Sequence, residues 1–210
     1  MIYFDIETEP LSPEECEIFM PDFEAPSNYK DAVKIADNIA EQKAKWLERA
    51  ALSPLTGKVL AIGFKDDASD EITILHGDDE EYILRTFISN AKDVSAAPLI
   101  GYNIIGFDIP FLKRRAWKYG IKVPAWWTAK AGWGKAPMVV DLMEEWKCGD
   151  YRAAFAKLDH VAKFLGLEGK TSDSLAKNFG DVYRSDETAA LEYLTRDVEL
   201  VEEIYGRMFL

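Results

Sequence analysis

The chain of 210 residues is 48% hydrophobic and 30% charged, with a formal net charge of −12 at pH 7. That length suits one domain, or one domain with a sizeable insertion, and can support a core without disulfides or structural metals. Cys16 and Cys148 are too few for a disulfide framework or a zinc-thiolate site. No apolar run approaches the ~18 residues of a membrane span, and the opening MIYFDIETE carries acids where a signal peptide needs bases. The expected setting is cytoplasmic, without a membrane.

The acidic average hides an asymmetry. From Ile109 to Lys135 every charged residue is basic: Lys113, Arg114, Arg115, Lys118, Lys122, Lys130 and Lys135. Trp117, Tyr119, Trp126, Trp127 and Trp133 interleave with them, a pattern shared by single-strand binding tracks and by basic helices followed by a Trp-rich packing loop.

In chain order, Met1–Ile6 reads as a strand with Ile2, Phe4 and Ile6 on one face and Tyr3, Asp5 and Glu7 on the other. A proline-punctuated loop leads to an amphipathic helix over Asp31–Leu52, whose apolar positions are Ala36, Ile39, Ala40, Leu47 and Ala50. This helix lies in an insertion at about residues 9–54, expected to pack on the sheet. Lys58–Phe64 and Glu71–His76 form a hairpin. A helix over Asp79–Lys92, a short strand Pro98–Tyr102, a helix Ile109–Tyr119 and a strand Met138–Met143 follow. Helices at Lys157–Leu165, Ser172–Phe179 and Asp186–Met208 complete an α/β arrangement, a sheet with flanking helices.

Several carboxylates occupy costly positions. Asp5 and Glu7 share one strand face about 6–7 Å apart, which fits either a strand end facing water or a cation between them. Asp197 falls beside the apolar line Ala190, Leu194, Val198, Val201, Ile204 and Met208, with Tyr193 one turn earlier on the same face. It requires a distant basic partner or a metal. Asp108, before Ile109-Pro110, reads as a helix cap that also sits where α/β sheets build their sites. Asp141 reads as a solvated strand end. Should Asp5, Glu7, Asp108 and Asp197 converge, they make an all-oxygen cage for Mg²⁺ or Mn²⁺, and two such ions suit phosphodiester hydrolysis. His76 and His160 are far apart and on different elements, so they are not read as a metal pair.

On these residues the sequence resembles the DEDD, or DnaQ-like, 3′-to-5′ exonucleases of the ribonuclease H-like fold. FDIET, Phe4–Thr8, carries the family's Asp-x-Glu. YNIIGFDIPFL, Tyr102–Leu112, is similar to the second motif of B-family DNA polymerase exonuclease domains. YLTRD, Tyr193–Asp197, matches the Tyr-x-x-x-Asp of the tyrosine subclass, while the histidine subclass would want His where Glu192 stands.

The resemblance implies a single exonuclease domain over 1–210 with a ribonuclease H-like mixed sheet. It implies Asp5, Glu7, Asp108 and Asp197 as ligands of two divalent cations, Tyr193 as the residue orienting water, and nucleoside 5′-monophosphates released from 3′ ends. Thr8, Asn103 and Phe107 would contact the substrate. Arg114 and Arg115, in the Lys113–Lys135 stretch, are expected to carry single-stranded DNA. The chain stops soon after the third motif, so proofreading would need a polymerase or repair protein as partner. An RNA-degrading enzyme of the same superfamily and a non-catalytic binding module are the alternatives.

Overall fold

The computed structural model describes residues 1–92, 98–127, 138–150, 152–153, 155–169 and 179–210. They form two compact units, Met1–Glu7 with Val59–Leu210 and, separately, Thr8–Lys58.

The larger unit is organised by a five-stranded sheet. Its strands are β1 (Ile2–Pro10), β2 (Gly57–Asp66), β3 (Thr73–His76), β4 (Leu99–Gly101) and β5 (Val139–Asp141), in the order β3-β2-β1-β4-β5. β2 and β3 form the expected antiparallel hairpin, with Ala61 opposite His76 and Phe64 opposite Thr73. β1 runs parallel to β4, with Ile2 opposite Leu99, and β4 parallel to β5, with Gly101 opposite Asp141. Parallel neighbours bring their carboxyl ends to one edge, where α/β sheets place ligands.

The alternation along β1 divides the core. Ile2, Phe4 and Ile6 enter a cluster with Ile83, Leu84 and Phe87 of α3 (Glu80–Lys92) and Phe111 and Leu112 of α4 (Asp108–Lys118). Tyr3, on the opposite face, joins Val198, Val201 and Ile204 of α8 (Glu187–Phe209). That helix follows α5 (Leu142–Trp146), α6 (Leu158–Phe164) and α7 (Phe179–Ser185). Gly63 of β2 lets α8 approach closely, because a Cβ there would stand 2.9 Å from Leu194 Cγ. Since α8 covers the face that carries Tyr3, it also covers the face of Asp5 and Glu7.

The smaller unit holds α1 (Pro13–Glu17), capped by Ser12 and Glu15, and α2 (Ala32–Glu48), followed by a short 3-10 turn at Ala50–Leu52. Cys16 is buried there, its thiol 3.4 Å from the Thr56 carbonyl oxygen. The helical spacing of α2 is as expected, and its inner face is so in part. Ile39 and Leu47 are half-buried and Ala50, just beyond the helix, is buried. Ala36 and Ala40 are exposed, however, and Ile35, Gln42 and Trp46 are half-buried in their stead; no residue of α2 is fully buried.

Other expectations need correction at element ends. The strand expected over Met138–Met143 stops at Asp141, whose carboxylate takes the Met143 N–H and starts α5. The helix expected over Ser172–Phe179 lies outside the described residues except for Phe179, which instead opens α7. Among the described residues no helix is long and apolar enough to cross a membrane.

Candidate active site

The acids of the opening strand and of the last helix meet. Asp5, Glu7 and Asp197 each offer a carboxylate oxygen, and the three oxygens lie within 4.8 Å of one another. Asp5 and Glu7 are half-buried, whereas Asp197 is 2% exposed. Like charges this close in a desolvated setting disfavour one another unless a cation or a proton lies between them.

Asp108 arrives from the β4–α4 connection. It is the first residue of α4 and not its cap; Phe107 occupies the cap position and supplies no side-chain hydrogen bond. Asp108 is 3% exposed, and its Oδ1 has no hydrogen-bond partner. Burial raises its pKa well above the usual carboxylate range, and the charge of Asp5 raises it further. An orphaned buried oxygen facing the field of Asp5 is the state expected of a ligand awaiting a hard cation. Asp5, Glu7 and Asp197 therefore form a group that could hold a hard cation such as Mg²⁺ or Mn²⁺, since its donors are all oxygen and none is soft. Asp108 stands outside that group of three and feels the charge of Asp5.

Tyr193 stands one turn before Asp197 on α8 and is buried. Its hydroxyl is hydrogen-bonded to the Asp197 carboxylate, and desolvation followed by the charges of Asp197, Glu7 and Asp5 drives its pKa far above that of a free tyrosine. Tyr193 is thus held neutral, a donor and not a base.

The loop carrying Asp108 is tied from below by Asp141. Its Oδ1 accepts the Asn103 N–H at 2.8 Å and its Oδ2 the Ile105 N–H at 2.9 Å. Asp141 is 2% exposed, so it is no solvated strand end. Burial raises its pKa while the backbone N–H groups of Ile105, Asn103 and Met143 oppose that rise. Sequence reasoning missed this role. A signal was present, since Asp before Leu-Met-Glu-Glu is a helix-capping pattern, but the loop donors could not be read from sequence.

Asn103 adopts a left-handed conformation, φ 63°. Its carbonyl accepts the N–H groups of Gly106 and Phe107, and its side-chain oxygen occupies the space beside the Gly106 Cα. Phe107 is half-buried and packs on Phe111 with ring centroids 5.5 Å apart. Thr8 belongs to the smaller unit, where its hydroxyl donates to the Ala51 carbonyl at 2.8 Å.

The two arginines expected to hold the strand diverge. Arg114 is exposed. Arg115 is 3% exposed and its guanidinium clasps Glu80, Nε to Oε1 at 2.8 Å and Nη2 to Oε2 at 2.5 Å. That pairing removes Arg115 from the list of strand contacts. On α4 the three-four spacing turns position 115 toward α3, whereas 113, 114 and 117 face outward. Trp127 is fully buried. Lys130, Trp133 and Lys135 lie outside the described residues, as does the side chain of Trp126.

Residues 56–200 match the family model described as a predicted 3′-5′ exonuclease related to the exonuclease domain of PolB. The chain belongs to this family. The match contains Asp108, Tyr193 and Asp197, while Asp5 and Glu7 precede it and are joined to them by the fold. A DNA polymerase of Archaeoglobus fulgidus is 30% identical over 156 residues, 69% of this chain and 19% of the polymerase. The family B DNA polymerase of the hyperthermophilic archaeon Pyrobaculum calidifontis shares the fold, with a TM-score of 0.60 at 20% identity over 77% of this chain and 23% of that one. The chain thus spans about a fifth of the length of either polymerase. The α/β mixed sheet with flanking helices is that of a PolB-like exonuclease domain.

Proposed function

We propose that this exonuclease-family chain removes nucleoside 5′-monophosphates one at a time from the 3′ end of DNA, single strands preferred, with two divalent cations. The observation that carries the reading is the meeting of Asp5, Glu7 and Asp197 within 4.8 Å, beside a buried Asp108 with an unpaired oxygen. Asp5, Glu7 and Asp197 would hold one cation and Asp5 with Asp108 the other. When bound, such a pair supplies an acidified water and positive charge beside the leaving 3′ oxygen.

The protein groups do the positioning. Tyr193, kept protonated by burial and by the surrounding acids, presents a hydroxyl that orients the attacking water. Asp141 holds the turn from Asn103 to Ile105 and thereby fixes the start of α4 where Asp108 stands. Asn103 and Phe107, on that turn, contact the terminal nucleotides. A replication or repair protein is the partner that would give such trimming a purpose in proofreading.

The test is degradation of matched 5′-labelled DNA and RNA oligonucleotides in Mg²⁺ and in Mn²⁺. The expected result is a ladder shortening from the 3′ end, with nucleoside 5′-monophosphates released, faster on single-stranded DNA than on RNA. Internal cuts would overturn the exonuclease mode. Faster loss of RNA would transfer the reading to an exoribonuclease, and no turnover of either would leave a binding module.

A further inference from the structure

The solvent flank of α4 carries a feature that the acidic cluster does not use. An open hollow of about 460 Å³, its mouth included, is walled by Ile105, Ile109 and Pro110 and reaches the buried Trp127. Lys113, Arg114 and Trp117 complete its lining, and among the described residues no carboxylate takes part. Trp117 is 62% exposed, an unusual state for the largest apolar side chain, and the Lys113 ammonium lies 5.7 Å from its ring centroid.

We propose that this hollow is a nucleotide subsite for single-stranded nucleic acid, in which Trp117 stacks on a base while Lys113 and Arg114 hold the adjoining phosphates. The proposal rests on the exonuclease reading and extends it to the strand upstream of the cleaved end. Three observations converge. An apolar wall with one exposed indole suits a base, since every base offers a π-face and stacking is tolerant of sequence. The cations stand on a chain whose net charge is −12, so an anionic strand is repelled elsewhere and attracted here. The position is also right. Ile109 follows Asp108 directly, and from Asp108 to Trp117 the helix advances about 14 Å, roughly four nucleotides at the ~3.4 Å spacing of a stacked strand.

Binding of fluorescein-labelled octathymidylate and octauridylate, measured by anisotropy across a salt series in an Asp197→Asn background to prevent consumption of the strand, decides the matter. The expected result is that Trp117→Ala weakens binding roughly 5- to 150-fold, the worth of one base–aromatic stack. Arg114→Gln should lower the slope of log K against log salt by about 0.7. The side chain of Trp117 is exposed, so the variant should fold, and circular dichroism with a melting curve checks that it has. Undiminished affinity in Trp117→Ala, an unchanged salt slope in Arg114→Gln, or no binding of either oligonucleotide overturns the subsite.

Failure here is separable from failure of the catalytic reading. A strand that the unmutated protein trims but that ignores Trp117 refutes the hollow alone. A strand that is bound through Trp117 but never trimmed refutes the exonuclease alone. Equal binding of both octamers shows that the subsite reads base and phosphate and not the 2′-hydroxyl.

Discussion

Among the places where the larger unit buries carboxylates, two are built on opposite plans. Glu80, at the start of α3, is neutralised from within. It takes the Arg115 guanidinium, the Tyr119 hydroxyl at 2.8 Å and the Val59 N–H at 2.8 Å. The arrangement ties α4 and the entry of β2 to α3. At the other place Asp5, Glu7 and Asp197 crowd within 4.8 Å, Asp108 contributes an orphaned oxygen, and Tyr193 is forced to stay neutral. A fold seeking only stability would build the first and avoid the second, because carboxylates crowded together in a desolvated setting raise one another's energy. The difference separates a self-neutralised structural joint from an acidic cluster whose geometry could hold a metal ion.

The largest effect should come from Asp197→Asn. Loss of groups that merely orient a metal's ligands costs about 10–100-fold, so loss of a ligating carboxylate should lower 3′-end trimming by more than 10²-fold. Stability should move the other way. In metal-free buffer the amide relieves repulsion with Asp5 and Glu7, and the variant should melt no lower than the unmutated protein. Mn²⁺ at about 100 times its dissociation constant should stabilise the unmutated protein by about 2.7 kcal/mol, an effect the variant loses. A variant that trims at full rate would remove the acids from catalysis.

The matching change at the joint sharpens the contrast. Glu80→Ala takes the carboxylate from the buried Arg115 guanidinium, which should cost about 3–5 kcal/mol of stability, read from urea unfolding. Replacing both partners together, Glu80→Leu with Arg115→Met, should recover most of that loss, since buried pairs give way to apolar groups of similar volume at little cost. Neither change should respond to Mn²⁺ differently from the unmutated protein. A metal-dependent difference would mean that the joint and the site are one network.

The same contrast explains what could be read in advance. The acids of β1 and α8 were legible because alternation and helical spacing fix which way each side chain points: Asp5 and Glu7 away from Ile6, Asp197 along the line of Leu194 and Val201. The Arg115 partner was not legible, because Glu80 lies 35 residues away in sequence and basic spacing alone does not say which face of α4 is covered. Asp141 was misread for a related reason, as two of its partners are backbone N–H groups of a loop whose path no pattern encodes. On α2 the alanines looked apolar enough to be inward, but the larger Ile35 and Trp46 take the inner face, where burying more area stabilises more.

The smallest effect tests whether the turn before Asp108 only shapes the site or also touches the strand. Asn103 at φ 63° pays a conformational cost that glycine avoids, so Asn103→Gly should leave stability within about 1 kcal/mol of the unmutated protein. The Asp141 bond to its N–H is kept, and Asp108 should not move. Any change in trimming then reports the lost amide side chain itself. If that amide contacts the terminal nucleotide, KM should rise about 2- to 12-fold, the worth of one hydrogen bond, with kcat held. Asn103→Val supplies the counter-test, because a β-branched residue resists the left-handed region and should disturb the turn, lowering kcat together with stability. A fall in kcat for the glycine variant as well would assign Asn103 to shaping the turn and leave the strand to Phe107 and the α4 flank.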